Sequence, residues 1–390
     1  MMKLLEGVKV LDLTRFVSGP VCTMMLAEMG ARVIKVERPT SPDENRELGP
    51  YKDGASLLYT SYNLSKEAIA VDTRKPEGIA ILKELVKEVD VITENFRPGV
   101  MDKMGLSWET VHAINPRVIM ASISGFGQDG PYRDRVCFDG IAQAMGGLID
   151  SVYTSGGVRC TTGGNLGDVF TGVYCMGAIS TALYNRSVTG QGMRIDVDMM
   201  SSILSLFSSK VADYEMNGVI HAPLGYAPVA NYQTSDGWVR IDATSAGIFK
   251  RLAALIGDER LMDDKYMDAV TRVNEKDFLI EVIGQWVGGR STKERCDILE
   301  TAGIPVGVIN DVKMICEDPH LKARQQIVPV YMDEIGREVP YVAMPFRVEG
   351  MEMVYKNAPA IGQDTERILA DMLGYDKEKI AALREQGIIR

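Results

Sequence analysis

The first half of the chain alternates short runs of apolar, largely β-branched residues with longer segments in which apolar residues recur every three or four positions. The short runs predict strands, at 8–14, 31–37, 68–73, 89–96, 118–125 and 193–198. The longer segments predict helices, most clearly at 76–88 and 107–115. Strands that are apolar throughout and alternate with helices are typical of a parallel sheet covered on both faces. The pattern therefore predicts an α/β domain with a doubly wound, Rossmann-like parallel sheet.

Two features of the second half extend this prediction. The segment 168–186 is apolar on nearly every side, which predicts a long buried helix. The periodic pattern loosens after residue 217 and resumes with a new strand pattern near residue 238. We therefore predict a second, smaller α/β domain. The predicted boundaries are residues 1–215 and 331–390 for the large domain and 216–330 for the small one.

Charge and composition exclude several classes of partner. The 43 Lys and Arg residues are outnumbered by 53 Asp and Glu, so the net charge of −10 argues against nucleic acid or an anionic membrane as partner. The N-terminus lacks the apolar core of a secretory signal, and no apolar run has the length of a membrane span. Six scattered cysteines and three histidines predict neither disulfides nor a metal centre. We expect a cytoplasmic protein that binds no metal.

The segment 125–130 matches the G-x-G-x-x-G pattern of dinucleotide-binding proteins. In those proteins the glycines follow the first strand and open a helix that faces the pyrophosphate. Here they follow the fifth predicted strand, and Pro131 interrupts a helix start. We interpret the segment as a glycine-rich turn.

Asp168 follows a loop that contains Gly163, Gly164 and Gly167, and it starts the predicted buried helix. An aspartate in this position is often a helix cap. The glycines favour a second interpretation, because they let a ligand approach the backbone and leave N–H donors free. A helix N-terminus also stabilises the ionised carboxylate, which is the nucleophilic form. From the residues alone, both interpretations stay open.

Basic residues recur where the predicted strands end. In open α/β sheets ligands bind at that edge, and several cations there, in an acidic chain, indicate a phosphate site. Isolated solvated cations are the alternative. The residues are Arg38, Arg74, Lys75, Arg97, Lys103, Arg133 and Arg135.

The order and spacing of several motifs resemble the family III CoA-transferases, which include formyl-CoA and carnitine CoA-transferases and, as a branch, α-methylacyl-CoA racemases. The most specific is GDVFTGVYCMGAISTALYNRSVTGQG at 167–192. Other matching segments are GVKVLDLTRFVSGP at 7–20, GARVIKVERP at 30–39, VDTRKPEG at 71–78, ENFRPGVMDKMGL at 94–106, SGFGQDGPYRDR at 124–135 and AGIPVGVINDV at 302–312. The resemblance implies an interlocked homodimer that uses an acyl-CoA and a carboxylic acid as substrates, without a tightly bound cofactor.

The resemblance also implies roles for individual residues. Asp168 stands at the nucleophile position of the family, which implies an aspartyl anhydride and then an aspartyl-CoA thioester. Backbone N–H groups of the glycine-rich loop would stabilise the oxyanion. The implied CoA-binding residues are Val17, Ser18, Arg38, Val71, Asp72, Thr73, Arg74, Asn95, Phe96, Arg97, Lys103 and Arg135. The implied substrate pocket contains Phe16, Val17, Phe138, Gly163 and Gly164.

Three departures from the family pattern refine these expectations. Phe138 stands where the racemases have a catalytic histidine, so two-base proton exchange lacks one base. We therefore expect a transferase, with an acyl-CoA racemase or epimerase and a non-catalytic CoA-binding relative as the alternatives. Val17 replaces a glutamine of the formyl-CoA transferases, which suggests an acid larger or less polar than oxalate. Lys103 stands where arginine is common and loses the bidentate contact to phosphate.

Overall fold

A computed structural model describes residues 2–220 and 226–390. The chain divides into a larger unit, Met1–Ser209 with Arg324–Arg390, and a smaller unit, Lys210–Ala323. The predicted domain boundaries at 215 and 331 lie a few residues further along the chain. The boundary predicted at 331 differs because the strands Ile327–Met332 and Arg337–Val342 pair as a hairpin. The whole hairpin belongs to the larger unit.

The larger unit is built on a parallel sheet with the strand order β5-β2-β1-β6-β7-β8. The strand order reverses beside β1, so the carboxyl ends of β1 and β6 flank a crevice. The predicted α/β class with a parallel sheet is confirmed. The strands up to this point of the chain are β1 (Lys9–Asp12), β2 (Arg32–Glu37), β3 (Tyr51–Lys52), β4 (Ala55–Ser56), β5 (Glu67–Ala70), β6 (Val91–Glu94), β7 (Ile119–Ser124) and β8 (Met193–Asp198).

Helices cover both faces of this sheet. Leu11 belongs to the apolar core on one face, whereas its neighbour Val10 belongs to the core on the other. This alternation explains why the strands are apolar throughout. The helices are α1 (Ser18–Glu28), α2 (Leu57–Asn63), α3 (Pro76–Val86), α4 (Val100–Lys103), α5 (Trp108–Ile114), α6 (Asp139–Met145), α7 (Leu148–Gly156), α8 (Leu166–Thr189) and α9 (Met199–Leu204).

The smaller unit has its own antiparallel sheet, β11-β10-β9, and its own apolar core around Phe249 and Tyr266. The C-terminal tail returns to the larger unit, where Ile368 and Ile389 join the core on the Leu11 face. The remaining elements are α10 (Ser208–Asn217), β9 (Val229–Gln233), β10 (Trp238–Asp242), α11 (Ala246–Ile256), α12 (Ala269–Asn274), α13 (Lys276–Gly288), α14 (Thr292–Thr301), β11 (Val306–Val308), α15 (Val312–Glu317), α16 (Pro319–Ala323), β12 (Ile327–Met332), β13 (Arg337–Val342), α17 (Thr365–Leu373) and α18 (Lys377–Glu385).

Helix α8 carries Asp168 near its N-terminus and packs against α1, β7 and β8. Among the described residues it is the one helix with the length and composition of a membrane span, a property shared by core helices of soluble proteins. The prediction that α8 is buried on all sides is wrong. One face is buried, at Cys175 and Ile179 for example, but Tyr184 and Val188 on the opposite face are 73% and 70% exposed.

Candidate active site

A groove runs along the sheet edge at the carboxyl ends of β1, β2, β6 and β7. It contains a cavity of about 350 Å³ that Asp168 lines, which we call the Asp168 cavity. A second cavity of about 300 Å³, the arginine cavity, is lined by Arg15, Arg38 and Arg74. The two cavities share Arg15, Phe96 and Val100 in their walls, so they adjoin each other. A more open cleft with Lys75, Lys83 and Lys103 continues from the arginine cavity through Thr73 and Arg74.

Asp168 lies in the first turn of α8, but it does not cap that helix. The residue before the helix, Asn165, has a left-handed backbone (φ 50°) and makes no capping bond to the described residues. The cap is Asp139, the first residue of α6, whose Oδ1 accepts hydrogen bonds from the N–H groups of Gly167 (2.7 Å) and Asp168 (3.2 Å). The expectation that the glycine loop leaves these N–H groups free is therefore wrong for Gly167.

The surroundings of Asp168 raise its pKa to about 6. Burial is the largest cause, and the negative charge of Asp139 adds to it. Hydrogen bonds from the hydroxyl and backbone N–H of Ser18, the first residue of α1, act in the opposite direction. The sequence predicts that the N-terminus of α8 favours ionisation of Asp168, but Asp139 accepts the hydrogen bonds of its N–H donors. At neutral pH Asp168 is still mostly ionised, and it keeps the higher basicity of a buried carboxylate.

The loop between β1 and α1 reaches the Asp168 cavity through Phe16 and Ser18. Phe16 has φ 62°, a conformation that a non-glycine residue holds only when its surroundings enforce it. The N–H of Phe16 donates to Asp43 (3.1 Å), and Asp43 is paired with the fully buried Lys35 (2.9 Å). Asn95, just after β6, makes reciprocal hydrogen bonds with the backbone of Arg15 at 2.8 and 2.7 Å. These contacts fix the entrance of α1 and hence Ser18.

The arginine cavity brings like charges together. Burial lowers the pKa of Arg38, and the positive charges of Arg15 and Arg74 lower it further. Asp72 holds Arg74 through two contacts of 2.9 Å. A cluster of cations that repel one another is stabilised by an anion, and guanidinium groups match the geometry of phosphate oxygens. This cavity therefore suits the phosphate groups of a ligand.

The structure brings most of the implied site residues together and leaves five of them, Val17, Val71, Asp72, Gly163 and Gly164, outside the described cavity walls. Val17 and Val71 are buried, and Val71 belongs to the core. Gly163 and Gly164 are exposed and lie outside the described lining of the Asp168 cavity. The residues that line the Asp168 cavity are Phe16, Ser18, Asn95, Phe96, Arg97, Arg135, Phe138 and Asp168, whereas Arg38, Thr73, Arg74 and Lys103 line the arginine cavity or the adjoining cleft.

Sequence reasoning missed Asp43, Asp139 and Cys137. Asp43 and Asp139 act through contacts with residues far away in the chain, for which the local pattern has no signal. Cys137 lines the Asp168 cavity, and burial, together with the charge of Asp168, raises its pKa to about 11. A thiol with that pKa is a weak nucleophile at neutral pH.

Metal ligands, histidines and the glycine-rich segment after β7 bear on other chemistries. The described residues contain no group of three or more His, Cys, Asp and Glu side chains placed to hold a metal ion. His112 stacks on Trp108 at 4.6 Å and does not line the Asp168 cavity. His221 lies outside the described residues. After β7, the glycine-rich segment forms turns, and the next helix starts at Asp139.

A family model described as CoA-transferase family III matches residues 5–365. The chain belongs to CoA-transferase family III. It is 34% identical to succinyl-CoA–D-citramalate CoA-transferase of Chloroflexus aurantiacus, over 99% of this chain and 98% of that protein. It is also 34% identical to formyl-CoA:oxalate CoA-transferase of Rhodopseudomonas palustris, over 99% and 97% of the two chains. The resemblance inferred from the motifs is confirmed, and the protein is a family III CoA-transferase.

A solved structure has the same fold as this CoA-transferase. The crystal structure of a CAIB/BAIF family protein from Brucella suis superimposes with a TM-score of 0.84 at 30% identity, over 95% of this chain and 100% of that one. CoA thioesters are the substrates of such transferases. The arginine cavity and the Asp168 cavity therefore belong to a protein whose substrate carries both phosphates and a reactive thioester.

Proposed function

We propose that this CoA-transferase moves CoA between two carboxylic acids with Asp168 as the covalent nucleophile. The Asp168 carboxylate attacks the carbonyl carbon of the donor thioester, and the C–S bond breaks to give an acyl-aspartyl anhydride and CoA thiolate. The thiolate attacks the aspartyl carbonyl, which releases the donor acid and leaves an aspartyl-CoA thioester. The acceptor carboxylate then displaces the thiolate to form a second anhydride. Attack of the thiolate on the acceptor acyl group completes the transfer and regenerates Asp168.

One observation carries this proposal: a half-buried carboxylate lines a cavity that adjoins a second cavity lined by Arg15, Arg38 and Arg74. The arginine cavity would hold the phosphates of CoA and direct its thioester end towards Asp168. The raised pKa of Asp168 supports the role, because a more basic carboxylate is a better nucleophile while it is still ionised at neutral pH. The aromatic side chains Phe16, Phe96 and Phe138 in the wall of the Asp168 cavity would also limit access of water, which hydrolyses an anhydride.

For the acid, we propose a carboxylate with a larger apolar body than oxalate. Phe16 and Phe138 meet edge to face at 5.8 Å in the wall of the Asp168 cavity, and Cys137 and Met199 line it as well. These side chains offer apolar contact on the acyl side. The similarity to a succinyl-CoA-dependent relative makes succinyl-CoA the first donor to test.

We also propose that the active protein is a cytoplasmic homodimer. The exposed face of α8 supports the dimer, because Val173, Tyr174, Tyr184 and Val188 form an apolar stripe at helical spacing. Apolar stripes of this size usually lie in interfaces. A second copy of the chain is the occupant that the family resemblance favours.

The racemase alternative requires a base on each side of the α-carbon. Phe138 occupies the place of the histidine, and neither of the described histidines lines the Asp168 cavity. The transferase hypothesis needs only the Asp168 carboxylate and not a second base, so it fits the site better than the racemase hypothesis.

The test is a mass measurement on the protein after it is mixed with succinyl-CoA and no acceptor acid. We expect an adduct on the peptide that contains Asp168, which hydroxylamine removes. Asp168→Ala should form no adduct and lose at least about 1,000-fold in turnover, whereas its affinity for free CoA should stay within about twofold. Asp277→Ala, at an exposed position of α13 outside the described cavity walls, is the matched control. Turnover by Asp168→Ala, or α-deuteration of a branched acyl-CoA in heavy water without an acceptor, would refute the mechanism.

A further inference from the structure

Gln143 is a fully buried amide in the helix next to the nucleophile. It lies one turn after Asp139 in α6 and is 0% exposed. A buried amide is costly unless its donor and acceptor are both bonded. The hydrogen bonds at the two ends of this side chain therefore show which groups it holds in place.

The amide of Gln143 links two parts of the site. Its Nε2 donates to Asp139 Oδ2 at 2.6 Å. Its Oε1 accepts hydrogen bonds from the N–H (2.9 Å) and the hydroxyl (3.2 Å) of Thr162. Thr162 immediately precedes Gly163 and Gly164, whereas Asp139 caps the turn that carries Asp168. One side chain thus ties the start of the glycine loop to the cap of the nucleophile helix.

Gly167 shows how tightly this arrangement is packed. A Cβ atom at this position would lie 2.9 Å from Asp139 Oδ1, so the backbone and the carboxylate leave no room for a side chain. Direct hydrogen bonds thus connect Thr162 to Gln143, Gln143 to Asp139, and Asp139 to the N–H of Asp168. Movement at either end alters the geometry at the other.

We propose that Gln143 is a positioning residue for CoA transfer, which holds the glycine loop in register with Asp168; this proposal rests on the proposed function above. Its amide keeps Asp139 in one orientation, so that both N–H groups at the start of α8 stay capped and the Asp168 backbone is fixed. Gln143 acts through Asp139 and Thr162 and does not line the Asp168 cavity in the described structure. A displacement of the nucleophile by about 1 Å lowers reaction rates strongly while binding changes little.

The first test is Gln143→Leu, which keeps the approximate volume and removes all three hydrogen bonds. We expect the rate of adduct formation with succinyl-CoA and kcat to fall at least about tenfold, with the Kd for CoA within about twofold of wild type. Thr365→Val is the matched control, because Thr365 is also buried and its Oγ1 accepts a hydrogen bond from Ala70 in a distant part of the unit. This control should lose thermal stability but keep its kcat per folded molecule.

The second test is Gln143→Glu, which keeps an acceptor for Thr162 and places a carboxyl group against Asp139. The two acids must share a proton to restore the 2.6 Å contact, so the ratio of variant to wild-type kcat should rise as the pH falls from 8 to 6. The helices packed on α6 contribute the acidic groups Asp150, Asp168 and Asp198, which are identical in both proteins. When the pair shares a proton it carries one negative charge, as Asp139 does in the wild type, so Asp168 experiences the same charge in both proteins at low pH. At high pH the second negative charge repels the Asp168 carboxylate further, which adds to the expected loss of kcat there.

The outcomes separate this inference from the proposed function. Absence of the adduct in the wild type would refute the proposed function. If the wild type forms the adduct but Gln143→Leu forms it equally fast, the positioning role is refuted. A pH-independent ratio for Gln143→Glu would refute it as well. So would losses of kcat and CoA binding that are no larger than the loss of folded protein. If Gln143→Leu does not fold, Gln143→Glu alone decides.

Discussion

At the scale of single residues, the chemistry depends on two neighbouring carboxyl groups with different tasks. Asp139 accepts the hydrogen bonds at the N-terminus of α8 and is not part of the described wall of the Asp168 cavity. Asp168 lines the cavity, and its pKa rises to about 6 through burial and the charge of Asp139. The N–H groups at the start of α8 are therefore bound by Asp139. The carboxylate that reacts, Asp168, keeps its higher basicity.

This division predicts the pH dependence of the reaction. Only ionised Asp168 is a nucleophile, so kcat/KM should fall as the pH decreases through about 6. Asp139→Asn removes the repelling charge, which lowers the pKa of Asp168, and the acidic limb should move to lower pH. A smaller maximal rate should accompany the shift, because a less basic carboxylate is a weaker nucleophile. Steady-state kcat/KM from pH 4.5 to 8 measures both effects.

The substrate itself titrates near this range, since a phosphate monoester has a second pKa of about 6. The comparison therefore uses the same acyl-CoA for both proteins, so that only the enzyme differs. Asp277→Asn, at an exposed position outside the described cavity walls, should leave the limb unchanged. An unchanged limb in Asp139→Asn would contradict the electrostatic role of Asp139.

At the scale of elements, the site depends on the close contact between α1 and α8. Ser18 begins α1 and hydrogen bonds to Asp168 in α8, so the separation of the two helices sets the position of the nucleophile. Gly172 permits this contact. A Cβ atom there would lie 2.7 Å from the Ser18 carbonyl oxygen and 3.1 Å from Val21 Cγ1.

Gly172→Ala should therefore separate the two helices. We expect a loss of about 1–3 kcal/mol in the free energy of unfolding, because the Cβ meets backbone that cannot move aside cheaply. We also expect kcat to fall, since Ser18 and Asp168 move apart. Gly247→Ala, in α11, is the control, because a Cβ there meets open space and alanine favours the helix. Chemical denaturation and kcat measure the difference, and equal behaviour of the two variants would contradict the packing argument.

At the scale of the whole molecule, charge and apolar surface are distributed unevenly. The chain has a net charge of −10, yet Arg15, Arg38 and Arg74 converge in one cavity. A concentration of positive charge in a cleft attracts an anionic substrate and focuses it there. The exposed apolar side chains include a stripe on α8 that a single chain leaves in contact with water.

The proposed homodimer makes this stripe the contact surface. We expect a mass near twice 42.9 kDa by light scattering. Tyr184→Glu together with Val188→Asp should shift the protein towards 42.9 kDa at micromolar concentration, because buried charges in an apolar interface are costly. Val270→Asp changes a residue that is 65% exposed on another surface and should not alter the mass. A monomeric wild type would contradict the proposal.

The sequence by itself determined much of the framework. Runs such as 31–37 and 118–125 are apolar on both sides of the strand, and this pattern is sufficient to predict a parallel sheet covered on both faces. Arg38, Arg74 and Asp168 could be singled out because they follow strands or a glycine loop, and parallel strands end at one edge of a sheet. The fold class and the position of the groove follow from such local patterns, because buried positions recur along the chain with the spacing of a strand or a helix.

Only the tertiary structure decided which groups surround Asp168. Asp139, Gln143 and Asp43 are ordinary polar residues in the sequence, and they become important through partners that are far away in the chain. The pKa of Asp168 is raised rather than lowered, first because the carboxyl group is buried and second because Asp139, which accepts the N–H groups at the helix terminus, lies nearby with its negative charge. Hydrogen-bond partners and burial are pairwise, three-dimensional quantities, so the periodic pattern of the chain does not contain them.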